Sequence, residues 1–235
     1  MISLLVPTRN RPTNVQRLYQ SLVDTTTNIA DIELCFYIDE DDSVSLPVIT
    51  RIAEKINTQC VQGPPAPSVR VPTWITQNSL QKQAKGPIFM FAADDIVFRT
   101  PGWDVKVKEQ FDRFEDKIVL VYGPDGFQTG VVPVCTHGFV HQHWIDITGC
   151  LLPSYFDNSH GDTWLTDVAE RVGRRIYLTD VYFEHLHPAA GKAMWDSTYT
   201  TKQESPGGEA NIYQRSSNER QGVADRLKQY IALFK

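Results

Sequence analysis

Two acidic clusters follow apolar runs in the first half of the sequence. Asp94-Asp95 comes just after IFMFA, and Asp39-Glu40-Asp41-Asp42 comes directly after ELCFYI. Adjacent carboxylates at the end of a buried strand repel each other and lose hydration, so they are stable there when a cation binds or water reaches them. Hard cations such as Mg²⁺ and Mn²⁺ bind carboxylate and phosphate oxygens together. Asp94-Asp95 therefore indicates a metal site; the alternative is a turn or a helix N-terminus, where aspartate is also favoured.

A third polar cluster, Pro7-Thr8-Arg9-Asn10, follows the apolar run Ile2–Val6. In the acidic cluster after Ile38, Asp39 lies nearest the predicted strand and can accept hydrogen bonds from a ribose hydroxyl or a base N–H. The three acidic residues that follow it fit a solvated turn better. Three polar clusters at three predicted strand ends are the most informative feature of the sequence.

Histidines and one further aspartate in the second half could complete such a site. His185 and His187 alternate after an apolar run, so both project to one face of a strand, where imidazole is a common ligand for Mn²⁺ or Zn²⁺. Backbone-bonded histidines at a strand edge are the alternative. His141 and His143 have the same spacing but no acidic cluster nearby in the sequence. Asp162 precedes a predicted helix, where it acts as an N-cap or as a general base.

Apolar periodicity predicts the elements that position these residues. The predicted strands of the first half are Ile2–Val6, Glu33–Ile38, Thr58–Val61 and Ile88–Ala92. They alternate with predicted helices that begin at Thr13, Pro47 and Thr73. This β-α-β-α-β-α-β order predicts an α/β fold with a mostly parallel sheet covered by helices on both faces. Ligands of such sheets bind beyond the carboxyl ends of the strands, where all three polar clusters lie.

The second half is predicted to be less regular but to belong to the same single domain. Its predicted strands are Ile118–Tyr122, Phe139–Thr148 and Ile176–Phe183. A helix is predicted from Trp164 to Val172, and a terminal helix from Gln221 to Phe234. The polar segment Gly191–Ser217 is predicted as a mobile loop, either a lid over a ligand or a plain surface loop.

Composition narrows the class of protein. The 235 residues include 23 Lys+Arg and 28 Asp+Glu, a net charge of −5, which argues against a broad nucleic-acid surface. No apolar run approaches the roughly 18 residues of a membrane span. The four cysteines form no CxxC and show no zinc-site spacing, which favours a reducing, cytoplasmic compartment.

Taken together, the motifs resemble family-two glycosyltransferases with the GT-A fold. The resemblance rests on ISLLVPTRNRP, the strand-end IDEDD, the segment WITQNSLQKQAKGPIFMFAADDIVF and TPGWD, and it resumes over Gly161–Pro188. It implies one Rossmann-like GT-A domain over residues 1–235, with a helical tail at its C-terminus. Residues 1–104 would bind the nucleotide, 105–190 would hold the acceptor and the catalytic group, and 191–235 would form the mobile loop and terminal helix.

The resemblance also implies roles for individual residues. Those implied to bind a nucleotide sugar are Pro7, Thr8, Arg9, Asp39, Arg70, Asn78 and Asp94. Asp95 with His185 or His187 would bind Mn²⁺ or Mg²⁺, and Asp162 would be the general base of an inverting transfer. Two departures matter: the metal motif reads AADDI rather than a spaced DXD, and Gly161 stands where the family places Glu before the base.

The implied activity is metal-dependent transfer of a sugar from a nucleoside-diphosphate sugar, most simply a UDP-sugar, to an acceptor hydroxyl. The acceptor would be a saccharide or a hydroxymethylated nucleobase, since the compact chain and its PGWD resemble glycosyltransferases from phage genomes. A nucleotidyltransferase is the nearest alternative, but it needs a Gly-rich loop after the first strand, and PTRNRPTN has no glycine. A non-catalytic nucleotide- or sugar-binding module would keep Asp39 but would not need Asp94-Asp95 with His185 and His187.

Overall fold

The computed structural model describes residues 1–64, 71–128, 133–200 and 208–234. The first half contains β1 (Ile2–Pro7), α1 (Pro12–Thr25), β2 (Ile32–Asp39), α2 (Leu46–Ala53), β3 (Asn57–Gly63), α3 (Thr73–Gln83), β4 (Ile88–Phe91), β5 (Ile96–Phe98) and α4 (Trp103–Asp112). The second half contains β6 (Leu120–Tyr122), β7 (Gly138–His141), α5 (Gln142–Thr148), α6 (Gly161–Val172), β8 (Arg175–Tyr177), β9 (Phe183–His185), α7 (Ser197–Thr200), α8 (Glu209–Arg215) and α9 (Ser217–Ile231).

A central sheet of seven strands organises the described residues, in the order β3-β2-β1-β4-β7-β6-β8. The neighbours β1, β2, β3 and β4 are parallel, β6 and β8 are parallel, and β7 runs antiparallel to both of its neighbours. All eight residues of β2 are buried, as expected for a parallel strand covered on both faces. The predicted α/β fold with a mostly parallel sheet is thus confirmed.

Alternate residues of the central strands build two separate cores, one on each face of the sheet. Leu4 and Val6 pack in the core formed with α1, α2 and α4, whereas Leu5 packs in the core formed with α3, α5, α6 and α9. This alternation follows from the two-residue period of a strand. The sheet is therefore fixed from both sides, and its carboxyl-end edge is a rigid place for a site.

The structure differs from the sequence prediction in the second half. The predicted strand Phe139–Thr148 is divided into β7 and α5, because Trp144 and Ile145 pack toward α9 and Gly149, at φ +88°, ends the helix. The predicted strand Ile176–Phe183 is also divided: β8 belongs to the central sheet, and β9 pairs with β5 in a separate two-stranded sheet. Neither the turn at 178–182 nor the second sheet was predicted.

The segment predicted as a mobile loop, Gly191–Ser217, contains α7 and α8 in its described part. The terminal helix is confirmed as α9, which begins at Ser217 rather than Gln221 and buries Val223 and Leu227. None of the helices in the described part of the chain combines the length and the apolar character that a membrane span requires.

Candidate functional site

A cavity of about 470 Å³ opens at the carboxyl ends of β1, β2 and β4. Nine of the residues singled out from the sequence line it: Pro7, Thr8, Arg9, Asp39, Asp94, Asp95, Asp162, His185 and His187. Parallel pairing explains the convergence of the first six, because the carboxyl ends of neighbouring parallel strands meet at one edge of the sheet. Arg70 lies outside the described residues.

Direct hydrogen bonds join the three strand ends. The backbone N–H of Thr8 donates to the carbonyl of Tyr37 at 2.9 Å, and Thr8 Oγ1 donates to Asp94 Oδ2 at 2.6 Å. Arg9 forms ion pairs with Asp39 and with Asp41, the latter at 2.8 Å. The polar clusters identified from the sequence are therefore one connected network.

Different neighbours separate the pKa values of the two adjacent carboxyls, Asp94 and Asp95. Burial, reinforced by the charge of Asp95, raises the pKa of Asp94 to about 6. Burial also raises the pKa of Asp95, but His185 and the hydroxyl of Tyr199 outweigh it and hold that pKa well below its usual value. Asp95 is therefore the more acidic member of the pair.

The small sheet of β5 and β9 places His185 beside Asp95. Ile96 pairs with His185 in this sheet, and the N–H of Leu186 donates to the carbonyl of Asp95 at 2.9 Å. As a result, His185 Nε2 lies 3.5 Å from Asp95 Oδ1. The sequence identified Asp95 and His185 as candidate metal ligands. It did not predict the pairing of β5 with β9 that brings them together.

His137 is the third member of this cluster, and sequence analysis missed it. It directly precedes β7, where Gly138 pairs with Phe91, so the antiparallel strand begins at the same edge where β4 ends. Burial and the neighbouring His185 lower the pKa of His137 to about 3, which keeps its imidazole neutral, the form that binds metals. His143, which has the spacing of His185 and His187 but no acidic cluster nearby in the sequence, lies outside the cavity, with its Nδ1 3.0 Å from the Asp116 carbonyl.

Asp95, His137 and His185 fit a divalent cation. Each offers one ligand atom, and the three atoms lie within 4.8 Å of one another. Within the described part of the chain, Asp95 Oδ1, His185 Nδ1 and both ring nitrogens of His137 are buried without a hydrogen-bond partner. An unsatisfied buried polar group costs about 1–3 kcal/mol, and a bound cation would remove that cost by coordinating such atoms.

His187 is not a member of that three-residue cluster, although the resemblance implied that His185 or His187 would bind the metal. Its Nδ1 accepts the N–H of Ala189 at 3.0 Å, where it caps a short 3₁₀ turn, and its ring stacks on Phe127 at 4.3 Å. It lines the cavity close to His185, with ring centroids 5.1 Å apart. The alternation of the two histidines predicted their proximity but not their different roles.

Asn78 does not line the cavity, contrary to the implied role in nucleotide binding. Its side-chain amide donates to the carbonyl of Leu152 at 2.8 Å. Its carbonyl oxygen accepts the N–H groups of Leu151 and Leu152 at 3.0 and 3.1 Å. From α3, this residue therefore holds the segment that follows α5; the motif predicted an asparagine near the site but not the direction of its side chain.

Asn78→Ala is expected to lower the free energy of unfolding by about 1–3 kcal/mol, because buried backbone groups lose their partners. Nucleoside-diphosphate affinity should stay unchanged in the folded variant. Urea denaturation and calorimetry measure the two quantities. Gln81→Ala is the control, since Gln81 lies on the same helix and forms one side-chain bond, to Gln142 at 3.1 Å. Weaker nucleotide binding at unchanged stability would restore the original assignment.

Asp162 lies in the first turn of α6 and lines the cavity. Its Oδ1 accepts the N–H of Thr163 at 2.7 Å. The loop before it is held by Glu209 of α8, whose buried carboxylate accepts the N–H groups of residues 157, 158 and 159 at 2.9, 2.9 and 2.6 Å. The helix α8, which lies in the segment predicted as a loop, therefore fixes the conformation of the loop that leads into Asp162.

Arg11 is a further cavity residue that sequence analysis missed. It precedes α1, and its Nη1 lies 3.0 Å from Asp94 Oδ1 and 3.8 Å from Asp95 Oδ2. Its other edge meets Asp196, which lies just before α7. The motif RNRP contains both Arg9 and Arg11, and nothing in the local sequence indicated which arginine reaches the acidic pair.

No protein-family model matches the chain, and no curated protein matches it in sequence. Among solved structures, it is similar to Staphylococcus aureus TarS in complex with UDP, with 16% identity, TM-score 0.63, and coverage of 77% of this chain and 59% of that one. The mannosyltransferase PcManGT of Pyrobaculum calidifontis, in complex with GDP-Man and Mn²⁺, gives 12% identity, TM-score 0.62, and coverage of 95% and 72%.

Glucosyl-3-phosphoglycerate synthase of Mycobacterium tuberculosis, in complex with Mg²⁺ and UDP, gives 16% identity, TM-score 0.55, and coverage of 80% and 72%. The chain spans about three fifths of the length of the TarS structure. At these identities the likeness establishes the fold, which is that of GT-A glycosyltransferases.

Proposed function

We propose that this chain is a metal-dependent glycosyltransferase that moves a sugar from a nucleoside-diphosphate sugar to an acceptor hydroxyl, with inversion at the anomeric carbon. One observation carries the proposal. A single cavity of about 470 Å³ holds an acidic strand end at Asp39, the three-residue cluster Asp95-His137-His185, and a separate carboxylate at Asp162. The cavity therefore offers one group for each task of the reaction: Asp39 for nucleotide recognition, the three-residue cluster for charge neutralisation and Asp162 for proton removal.

The donor's nucleoside is assigned to the side of the cavity formed by the ends of β1 and β2. Asp39 is 5% exposed, and Pro7, Thr8 and Arg9 stand beside it at the end of the neighbouring strand. A buried carboxylate there can accept hydrogen bonds from a ribose hydroxyl or a base N–H. Asp94 lies between this side and the metal cluster, and its hydrogen bond from Thr8 links the two. Arg70 remains a proposed diphosphate or base contact.

The cation is assigned to Asp95, His137 and His185. Two imidazoles and one carboxylate suit Mn²⁺ better than Mg²⁺, which prefers a shell of oxygen ligands. The complexes of similar structures with GDP-Man and Mn²⁺ and with Mg²⁺ and UDP support a divalent cation in this fold. When bound, the cation would neutralise negative charge on the departing diphosphate.

Asp162 is assigned as the general base. It would take the proton from the acceptor hydroxyl as that oxygen forms its bond to the anomeric carbon. The bond from that carbon to the diphosphate oxygen breaks on the opposite side, and the nucleoside diphosphate leaves with the bonding electron pair. Attack opposite the leaving group inverts the anomeric configuration. Glu209, through the backbone of residues 157–159, would keep Asp162 in place.

The proposed acceptor is a hydroxyl of a saccharide or of a hydroxymethylated nucleobase. Thermal unfolding with UDP, GDP and Mn²⁺, singly and combined, tests the donor side, because a ligand that binds only the folded state raises the melting temperature. Nucleotide plus Mn²⁺ should stabilise the chain more than either alone. A panel of nucleotide sugars should then show Mn²⁺-dependent hydrolysis of one donor. Nucleotide binding without any metal dependence would contradict the proposal and favour a binding module.

Asp39→Ala is expected to weaken nucleoside-diphosphate binding by about 10- to 150-fold, the effect of losing a charged hydrogen bond of roughly 1.5–3 kcal/mol. Asp41→Ala is the matched control, since Asp41 also pairs with Arg9 but is 50% exposed and does not line the cavity. It should change the affinity by about twofold at most. Isothermal titration calorimetry measures both, and equal effects of the two substitutions would show that the strand-end turn is only solvated.

A further inference from the structure

We infer that Arg11 binds the diphosphate of the donor, and that Asp196 occupies that binding position while the donor is absent. The inference rests on the proposed function. It adds a residue that binds the diphosphate, Arg11, and a side chain that competes with the diphosphate, Asp196, neither of which the sequence indicated. It explains why a further carboxylate, Asp196, pairs with Arg11 beside an acidic cavity, where the Arg11 side chain is only 10% exposed.

The two edges of the Arg11 guanidinium have different partners. Its Nη1 lies 3.0 Å from Asp94 Oδ1, deep in the cavity, where Asp94 is 2% exposed. Its Nε and Nη2 donate to Asp196 Oδ2 and Oδ1, each at 2.8 Å. The inner contact holds the guanidinium in position, and the outer edge presents a complete pair of donors.

A carboxylate bound at both oxygens imitates a phosphate, because a guanidinium edge matches two adjacent anionic oxygens of either group. The position is also the expected one for a diphosphate, because Arg11 lies between Asp94 on the nucleoside side and Asp95 of the metal cluster, 3.8 Å from Asp95 Oδ2. Asp196 and a diphosphate cannot both occupy the same edge of Arg11, so binding of one displaces the other.

Asp196 is the partner that can leave at small cost. Its side chain is 41% exposed, against 2% for Asp94, so it regains hydration when it is displaced, and a half-exposed ion pair contributes little. Its departure also removes a negative charge from the neighbourhood of Asp94 and Asp95. Tyr199, in the same segment as Asp196, also contacts this region of the cavity. Its hydroxyl donates to Asp95 Oδ2, and its ring lies 4.7 Å from the Arg11 guanidinium.

The Asp196→Asn variant tests this competition. Asparagine keeps the shape of the side chain and can still accept the N–H of Tyr199, which Asp196 Oδ1 accepts at 3.2 Å at the start of α7, but it removes the charge. We expect the variant to bind the preferred nucleoside diphosphate, UDP or GDP with Mn²⁺, about fivefold more tightly than the wild type. Affinity for the corresponding nucleoside, uridine or guanosine, should change by about twofold at most, because it has no phosphate to compete.

Asp180→Asn is the matched control. It changes the net charge equally, and Asp180 is 64% exposed, pairs with Lys106 and lies outside the cavity. Its diphosphate affinity should equal that of the wild type. Asp196→Ser repeats the test with a second uncharged residue, and thermal unfolding of each variant verifies that it is folded.

Arg11→Lys tests two statements separately: that Arg11 binds the diphosphate, and that Asp196 competes with the diphosphate for Arg11. Lysine keeps the charge but lacks the paired donors, so diphosphate affinity should fall about tenfold or more. In the Arg11→Lys background, Asp196→Asn should give less than half of its effect in the wild type, because the competition acts through Arg11.

Equal or weaker diphosphate binding by Asp196→Asn would overturn the inference and show that Asp196 supports the donor site. So would an equal gain for the nucleoside, or a full gain in the Arg11→Lys background. Absence of any nucleoside-diphosphate binding by the wild type would instead overturn the proposed function itself.

Discussion

Asp162→Asn is expected to reduce the turnover number of sugar transfer by about 10²–10⁴-fold, the usual contribution of a general base. Asparagine is nearly the same size and can still accept the N–H of Thr163, now bonded at 2.7 Å, but it cannot take a proton at neutral pH. Stability should hardly change, since asparagine is as good as aspartate near a helix N-terminus. Donor affinity should stay close to that of the wild type. Steady-state kinetics with separate calorimetric measurement of donor binding distinguishes these effects.

Glu170→Gln is the control for this substitution. Glu170 lies on the same helix with its side chain 66% exposed, and it pairs with Arg175 away from the cavity. Its turnover number should equal that of the wild type. If Asp162→Asn keeps nearly full turnover, the base lies elsewhere and the inverting mechanism loses its support. NMR of the product gives the anomeric configuration directly and tests inversion independently of the variant.

Asp95→Ala is expected to bring transfer below detection and to abolish nucleotide-dependent Mn²⁺ binding, while the chain stays folded. Asp95 supplies the only carboxylate of the three-residue cluster, and its neighbours His185 and Tyr199 favour its ionised form. Its removal loses the contacts with His185 and Tyr199 but also relieves repulsion with Asp94, and the two effects on stability oppose each other. Calorimetry of Mn²⁺ binding with and without nucleoside diphosphate measures the effect. Activity of the variant in the presence of a chelator would contradict the assigned metal site.

His137→Gln tests the ligand that the sequence did not reveal. It should weaken Mn²⁺ binding by about 10–100-fold, the range typical of residues that shape a metal site. His143→Gln makes the same chemical change at a histidine outside the cavity and should leave Mn²⁺ affinity as in the wild type. Equal Mn²⁺ affinities of the two variants would remove His137 from the site.

Much of the side of the cavity formed by the ends of β1, β2 and β4 could be predicted from the sequence alone. Buried parallel strands are nearly continuous apolar runs, so Ile2–Val6, Glu33–Ile38 and Ile88–Ala92 were recognisable as strands without any partner. Consecutive parallel strands end at the same edge of a sheet. The polar residues that follow each run, with Thr8, Asp39 and Asp94 among them, were therefore expected to meet, and they do.

Only the tertiary structure decided the three-residue cluster Asp95-His137-His185 and the surroundings of Arg11. His137 joins Asp95 because β7 runs antiparallel to β4, and no local pattern in the sequence gives the direction of a strand. His185 meets Asp95 because β5 pairs with β9 in a second sheet, which brings together residues 90 positions apart. Asp196 reaches Arg11 across an even longer separation.

The sequence predicted the helix that carries Asn78 but not the direction of its side chain. That side chain bonds to the backbone of Leu151 and Leu152. Local sequence determines which residues form a strand or helix and which residue follows its end, because these depend on near neighbours and on the period of the element. The direction of a strand, its pairing partner and the orientation of a polar side chain depend on contacts between distant residues. Those contacts exist only in the folded chain.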